Sequence, residues 1–288
     1  LPEEAVTAMQ GLVRVRRLVF FGWMDDAKAM HALDGRDDLT LVRLDLAGDD
    51  RRSWTEFSTA HGYQSSSRTE LRAPWFADAH MFARAPGLLA VCSSGAGYDT
   101  IDVTAATRAG VLACNQAGAN REAVAEHVIG YMLALSKRIA QSNRLMKRRV
   151  NLDRFRVKDN DIRGKTLGIV GLGYVGAHLA MLCREAFGMT VLAYDPYVDA
   201  DRHTRCDALA GALASGRIAG AGLDVFEQEP PPPDHPLLAF DNVLASPHTA
   251  GITTEALANT TSSATDQWLD IFAGKAPRCL LNPEAWPH

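Results

Sequence analysis

The chain has 288 residues, 47% of them apolar, and a formal net charge of −4. That is enough material for a buried core and two domains, and it excludes the overall basic footprint of a nucleic-acid binder. The five cysteines (Cys92, Cys114, Cys183, Cys206 and Cys279) form no C-x-x-C pair, which argues against a disulfide framework or a zinc site and fits a reducing, cytoplasmic setting. The most apolar helical stretch, Val124 to Leu135, carries Glu126 and His127 and is too short to span a bilayer, so no membrane partner is expected.

In chain order, Leu18-Val19-Phe20-Phe21 reads as a short buried strand stopped by Gly22, and Leu39 to Leu46 alternates as a second strand. Trp54 to His61 is patterned as a helix that Gly62 ends. Trp75 to Arg84 is a second helical pattern closed by Pro86-Gly87. Leu88 to Cys92 is a buried strand running into Ser93-Ser94-Gly95-Ala96-Gly97. Strands separated by helices predict an α/β fold with a parallel sheet. Asn120 to Lys147 is a long helical pattern, with a kink expected near Gly130. After a polar loop, a complete βαβ unit follows: strand Thr166 to Val170, a glycine turn, helix Tyr174 to Phe187, and strand Thr190 to Tyr194. The second domain is placed from residue 118. Beyond Asp195 only the polar stretch Pro196 to Arg205 precedes a helix at Asp207 to Ser215. A strand at Gly220 to Val225, a stiff loop with Pro230 to Pro233, a strand at Asn242 to Ser246 and a helix at Ile252 to Phe272 complete the chain.

Gly171-x-Gly173-x-x-Gly176 follows a strand, opens a helix, and has Asp195 at the end of the next strand. Gly171 permits the tight turn, Gly173 lets backbone approach a pyrophosphate, and Gly176 lets helix and strand pack closely. The N–H groups from Tyr174 and Val175 onward favour phosphate charge. Asp195 is expected to accept hydrogen bonds from ribose hydroxyls, which favours NAD over a 2′-phosphorylated cofactor. The competing reading is a glycine turn that serves packing alone.

Hydride transfer to a keto acid needs a proton donor, a cation that holds the carboxylate, and a nearby nicotinamide face. His248 lies just past a strand end in Ser246-Pro247-His248-Thr249-Ala250-Gly251, where α/β sheets place ligands. Glu229 is the candidate partner that would favour its imidazolium form. Taken singly, such a histidine is more often structural and such a glutamate a solvated loop acid. Trp23-Met24, Arg68 and Arg121 are weaker substrate-site candidates, better read as packing and solvated residues. The basic cluster Arg144, Lys147, Arg148 and Arg149 reads as a solvated helix face.

The same residues carry a family resemblance. The segments 95–102, Glu122-Ala123-Val124-Ala125-Glu126-His127, 164–173, 220–227 and Pro247-His248 together resemble the D-isomer-specific 2-hydroxyacid dehydrogenases, over most of the chain from about residue 85. The resemblance implies an NAD-dependent oxidoreductase acting on a small 2-hydroxy or 2-keto acid. In it His248 is the acid/base, Glu229 its partner, and Asp224 holds the nicotinamide carboxamide. Backbone N–H groups of Ser94, Gly95, Ala96 and Gly97 bind the substrate carboxylate. It also implies a homodimer and two doubly wound parallel sheets. A flavodoxin-like substrate domain would comprise residues 1–117 with 256–288, and a Rossmann cofactor domain 118–255.

One departure stands out. The family's catalytic arginine sits in a T-x-R-G motif that this chain lacks; by spacing it falls at Ala200, and Arg205 is out of register. Further strand–helix units of the family, roughly 60 residues at about 30 each, have no counterpart after Tyr194. The cofactor domain is therefore expected to be incomplete, with an omission between Asp195 and Asp207 that splits its sheet. A non-catalytic NAD-binding sensor or scaffold is the alternative that the absent arginine favours.

Overall fold

The computed structural model describes residues 15–22, 32–148, 155, 158–195 and 206–286. The chain divides into two units, one of residues 1–120 with 257–288 and one of residues 121–256.

The first unit is built on five parallel strands: β1 (Arg16–Phe20), β2 (Leu39–Arg43), β3 (Gly62–Ser65), β4 (Ala90–Ser93) and β5 (Leu112–Cys114). Their order is β2-β1-β3-β4-β5, the flavodoxin arrangement. Register decides what each face buries. Val19, Tyr63, Val91 and Ala113 form one row across the sheet and pack with Phe57, Trp75 and Met81. Leu18, Gly62, Ala90 and Leu112 form the neighbouring row, which faces Trp268 and Ile271 of the last helix, Thr254–Phe272. Gly62 is small for a reason: a Cβ there would lie 2.7 Å from Trp268 Cζ3. The Trp268 indole N–H then reaches buried Gln64 Oε1 at 2.7 Å, anchoring the last helix to the sheet. Both faces are covered, so the strands are apolar on both sides.

Helices α1 (Asp50–Phe57), α2 (Ala79–Arg84) and α3 (Val103–Ala109) start at aspartates, Asp49, Asp78 and Asp102, whose carboxylates accept first-turn N–H groups. α2 begins at Ala79 rather than Trp75. Asp78 caps it there, and Trp75 is fully buried, stacked on Phe57 at 5.4 Å.

The second unit opens with α4 (Arg121–Ser136) and α5 (Ile139–Lys147). The break falls at Lys137-Arg138, where Arg138 has φ +48°, and not at Gly130, which lies inside a continuous helix. β6 (Thr166–Val170), α6 (Tyr174–Phe187) and β7 (Thr190–Tyr194) form a parallel βαβ unit with Thr166 opposite Thr190. α7 (Cys206–Ala214) leads to a second parallel pair, β8 (Ala221–Leu223) and β9 (Val243–Ala245). The two strand pairs are separate sheets. α4 packs against α6 and also against β8, so one helix serves both pairs. The apolar centre is Ala125, Ile169, Leu179, Cys183 and Met189. By contrast, Val170 is 77% and Leu192 61% exposed. Among the described residues no helix is long and apolar enough to cross a membrane, and no cluster of His, Cys, Asp or Glu is arranged to hold a metal. Trp23, Met24, Arg149, Ala200, Arg205 and the Pro196–Arg205 junction lie outside the described residues.

Candidate active-site elements

The glycine turn joins β6 to α6. Gly171 has φ +89°, a conformation that a side chain would strain, and its N–H donates to Tyr194 O at 2.6 Å, closing the turn on β7. A Cβ on Gly176 would stand 2.1 Å from Gly171 O, so only glycine lets α6 start this close to the turn. Gly173 differs: nothing lies within 4 Å of where its Cβ would be. It is the N-cap of α6 and supplies no side-chain cap. Among the described residues the Tyr174 and Val175 N–H groups have no acceptor, as expected at a helix start. The turn is thus tight where the chain meets itself and open where the helix dipole points. That gives the turn the shape and dipole of a cradle in which a phosphate group would fit. At the far end of β7, Asp195 Oδ2 accepts the Leu172 N–H at 3.1 Å, fixing a carboxylate beside the cradle.

The His248 imidazole follows β9 and is paired. Its Nδ1 lies 2.8 Å from Glu229 Oε2, while Glu229 Oε1 accepts the Phe226 N–H at 3.0 Å. An ionised carboxylate only accepts, so Nδ1 carries the hydrogen and Nε2 is left for chemistry. The bond to His248 and the Phe226 N–H hold the Glu229 carboxyl below its ordinary value. His248 itself has φ +56°, an uncommon conformation for a residue with a side chain, and its ring is largely exposed.

Asp224, at the end of β8, holds that strained segment. Its Oδ1 accepts the Thr249 N–H at 2.9 Å and the Ser246 hydroxyl, and its Oδ2 accepts the Ala250 N–H at 2.9 Å. Burial pushes this carboxyl up, but the Ser246, Ala250 and Thr249 donors outweigh it and the net shift is downward. Three donors use three of about four acceptor positions and leave one on Oδ2.

In the first unit, the loop after β4 has its carbonyls pinned. Gly95 O accepts the Gln116 N–H at 2.9 Å, Ala96 O accepts Asn115 Nδ2 at 2.7 Å, and Gly97 O accepts the Ser93 hydroxyl. In a planar trans peptide the next N–H points opposite to the carbonyl. The N–H groups of Ala96, Gly97 and Tyr98 therefore face away from those donors, and among the described residues they have no acceptor. Successive N–H groups of this kind form an anion-binding concavity. Of the four residues expected from sequence, Ser94 has its N–H on Ser65 O at 2.9 Å and Gly95 has a long contact of 3.4 Å to Ser93 Oγ. Ala96 and Gly97 keep theirs available. Sequence reasoning missed the pinning residues Ser93, Asn115 and Gln116, whose only signal was adjacency to the end of a strand. Arg68 and Arg121 are engaged by Asp99 and Glu122 at 3.1 and 2.9 Å.

A family model, D-isomer specific 2-hydroxyacid dehydrogenase, catalytic domain, matches residues 56–282. D-3-phosphoglycerate dehydrogenase of Archaeoglobus fulgidus is 31% identical over 261 residues, covering 71% of this chain and 49% of that protein. Glyoxylate reductase of Thermofilum pendens is 29% identical over 268 residues, covering 72% of this chain and 78% of the relative. The chain thus spans about half of the former and under four fifths of the latter. For the first alignment, 71% of 288 residues is about 204, so about 57 of its 261 positions have no counterpart here. That is close to two strand–helix units of about 30 residues each. The solved structure of a 2-hydroxyacid dehydrogenase from Ketogulonicigenium vulgare shares the fold, with a TM-score of 0.75 and 22% identity over 94% of this chain and 99% of that one. The extent of the family match, across both units, makes this chain a member of the D-isomer-specific 2-hydroxyacid dehydrogenase family.

Proposed function

We propose that residues 118–255 form an NAD-binding domain, that residues 1–117 with 256–288 form the substrate domain, and that the intact protein interconverts a small 2-keto acid and its 2-hydroxy acid. The observation that carries this reading is the His248–Glu229 pair at 2.8 Å, in the same unit as the glycine cradle. The cradle's fit is physical: it is open at Gly173 and closed by Gly176. Gly171, Gly173, Tyr174, Val175 and Gly176 would hold the pyrophosphate, Asp195 the ribose hydroxyls, and Asp224 Oδ2 the nicotinamide amide. The bound cofactor supplies or accepts the hydride. His248 Nε2 holds the proton that the carbonyl oxygen gains on reduction and takes it back on oxidation. Glu229 keeps the other ring nitrogen protonated and the ring oriented. The Ala96 and Gly97 N–H groups, with Tyr98 beside them, receive the substrate carboxylate. A carboxylate at Asp195 repels a 2′-phosphate, which favours NAD. A cytoplasmic homodimer with α4 at the contact completes this reading.

A second reading is favoured by the two separate strand pairs. In the doubly wound order 3-2-1-4-5-6, β7-β6 corresponds to strands 2-1 and β8-β9 to 5-6, with strands 3 and 4 lacking. The deficit of about 57 aligned positions is of the matching size. On this reading a segment of the intact protein, with the catalytic arginine, belongs between Asp195 and Cys206. The chain without it is a cofactor-binding module and a poor catalyst. NADH oxidation with glyoxylate, pyruvate and hydroxypyruvate separates the two. The assay is run on this chain and on a form carrying the glyoxylate reductase's corresponding segment at that junction. Turnover in the second form that is lost with His248→Ala is expected. No turnover there with any keto acid ends the dehydrogenase reading, and turnover by the present chain ends the second.

A further inference from the structure

Below Asp224 lies a group of side chains that the proposed chemistry does not use. Ser246 Oγ is 2.6 Å from Tyr131 Oη and 3.1 Å from His127 Nε2, both on α4, one turn apart. The two rings meet edge to face at 4.5 Å. Proton counting fixes the direction of every bond. The ionised Asp224 only accepts, so the single Ser246 hydrogen goes to Oδ1. Ser246 Oγ must then accept from both neighbours. Tyr131 donates its hydroxyl hydrogen, and His127 carries its hydrogen on Nε2. All donors point toward Asp224, an arrangement in which each bond polarises the next. Space is reserved for it as well. A Cβ on Gly222 of β8 would fall 2.4 Å from Tyr131 Cδ2, so the tyrosine ring lies directly on the strand backbone. Tyr131 Oη also approaches Leu223 O at 3.4 Å, one residue before Asp224.

We infer that His127, Tyr131 and Ser246 are positioning residues that aim the remaining Asp224 acceptor at the amide of a nicotinamide ring and hold the His248 backbone in its left-handed conformation. The inference rests on the reading of unit two as an NAD domain. It predicts a selective effect: the network governs recognition of the nicotinamide end and leaves the ADP end of the cofactor alone. His127 donates from Nε2 whether or not its other nitrogen is protonated, so only loss of that donor breaks the chain.

The test compares NADH with ADP-ribose, which lacks the nicotinamide, by ligand-observed NMR titration of the full chain. Tyr131→Phe and Ser246→Ala are expected to weaken NADH about tenfold, the worth of one charge-linked hydrogen bond, with ADP-ribose within twofold of the parent. Ser246→Thr and His127→Gln keep the hydroxyl and the Nε2 donor and are expected to retain NADH affinity, while His127→Leu is not. Equal weakening of both ligands assigns these residues to the scaffold and overturns the inference, as does no change in either. An unaltered chain that fails to bind ADP-ribose overturns the cofactor reading itself, and the inference with it. Thermal melting of each variant identifies any that fails to fold, and the remaining substitutions at the other two residues then decide.

Discussion

Alanine at Gly173 and alanine at Gly176 separate what packs from what binds. At Gly176 a new Cβ would sit 2.1 Å from Gly171 O, against an ordinary contact of about 3.4 Å. The atoms it meets are the Gly171 backbone and, at 3.3 Å, the Ile169 Cγ2, so α6 must move out by roughly 1 Å. Overpacking of this kind costs about 1–3 kcal/mol, and the rigid neighbours place it toward the upper end. At Gly173 the Cβ meets nothing within 4 Å, and its φ of −69° suits alanine. The alanine is a poorer N-cap by a few tenths of a kcal/mol, but it reduces unfolded-chain freedom by about as much. Stability is therefore expected to stay within about 0.5 kcal/mol of the parent. The same methyl occupies the space through which a pyrophosphate reaches the N–H groups of α6. Weakening one charge-assisted hydrogen bond there, about 2 kcal/mol, lowers affinity roughly thirtyfold. Urea unfolding and NADH fluorescence titration measure the two quantities. Gly176→Ala should fail both tests and Gly173→Ala only the second. A Gly173→Ala chain that binds NADH within twofold of the parent would falsify the placement of the pyrophosphate.

Glu229→Gln keeps the shape of the loop but removes the charge facing His248 Nδ1. In the form that turns over, kcat is expected to fall at least a hundredfold while NADH affinity holds, and an unchanged kcat in steady-state assays would remove Glu229 from the mechanism. Stability should follow acid titration of the two shifted carboxyls. Asp224 and Glu229 both have folded-state values below their ordinary ones, so their contribution is complete above about pH 4 and is lost as pH falls through the lower folded values. Melting temperature should be level from pH 7 to about pH 5 and drop below 4. With Asp224→Asn the neutral-pH stability falls by about 1–2 kcal/mol and the acid drop becomes shallower; an equally steep drop contradicts the assignment.

Local chemistry made the glycine turn legible. Gly171 and Gly176 have positional requirements that leave a mark in sequence, and the flanking strand and helix have strong periodicity. The same holds for Leu88 to Cys92, whose apolar run announces burial, whereas Trp75 reads as the start of a helix and is instead a core residue ahead of it. β3 and β5 were not seen, because four residues in Gly62–Ser65 and three in Leu112–Cys114 are too few to show a period. Their pairing with β4 and β1 is what makes them strands. The kink in the α4–α5 stretch was sought at a glycine and occurs at Arg138, since helix interiors tolerate a single Gly. Within the site, His248 and Glu229 were found by their setting. Ser246, Tyr131 and His127 were not singled out, because their roles depend on contacts between residues more than 100 positions apart.

The divided sheet of the second unit carries its own consequence. β6 pairs only with β7, and β8 only with β9, so among the described residues each strand has one open edge. Open parallel edges are unusual, since such sheets are normally covered and continuous. Val170, Leu192 and Tyr174 are more than half exposed beside one pair, and Val225 beside the other. Burying a valine or leucine fully is worth about 1.5–3 kcal/mol, so Val170 and Leu192, at 77% and 61% exposed, together forgo roughly 2–4 kcal/mol. That is a large share of a typical domain's net stability. The chain should therefore bind a hydrophobic dye such as ANS at neutral pH and associate as concentration rises. Supplying a strand–helix segment between Asp195 and Cys206 should abolish both behaviours and raise the melting temperature. Val170→Lys should reduce association without restoring stability, because it guards the edge but buries nothing. A present chain that is dye-silent, monomeric in ultracentrifugation and as stable as the lengthened form would mean that these edges are satisfied without the segment, and that the family fold tolerates its loss.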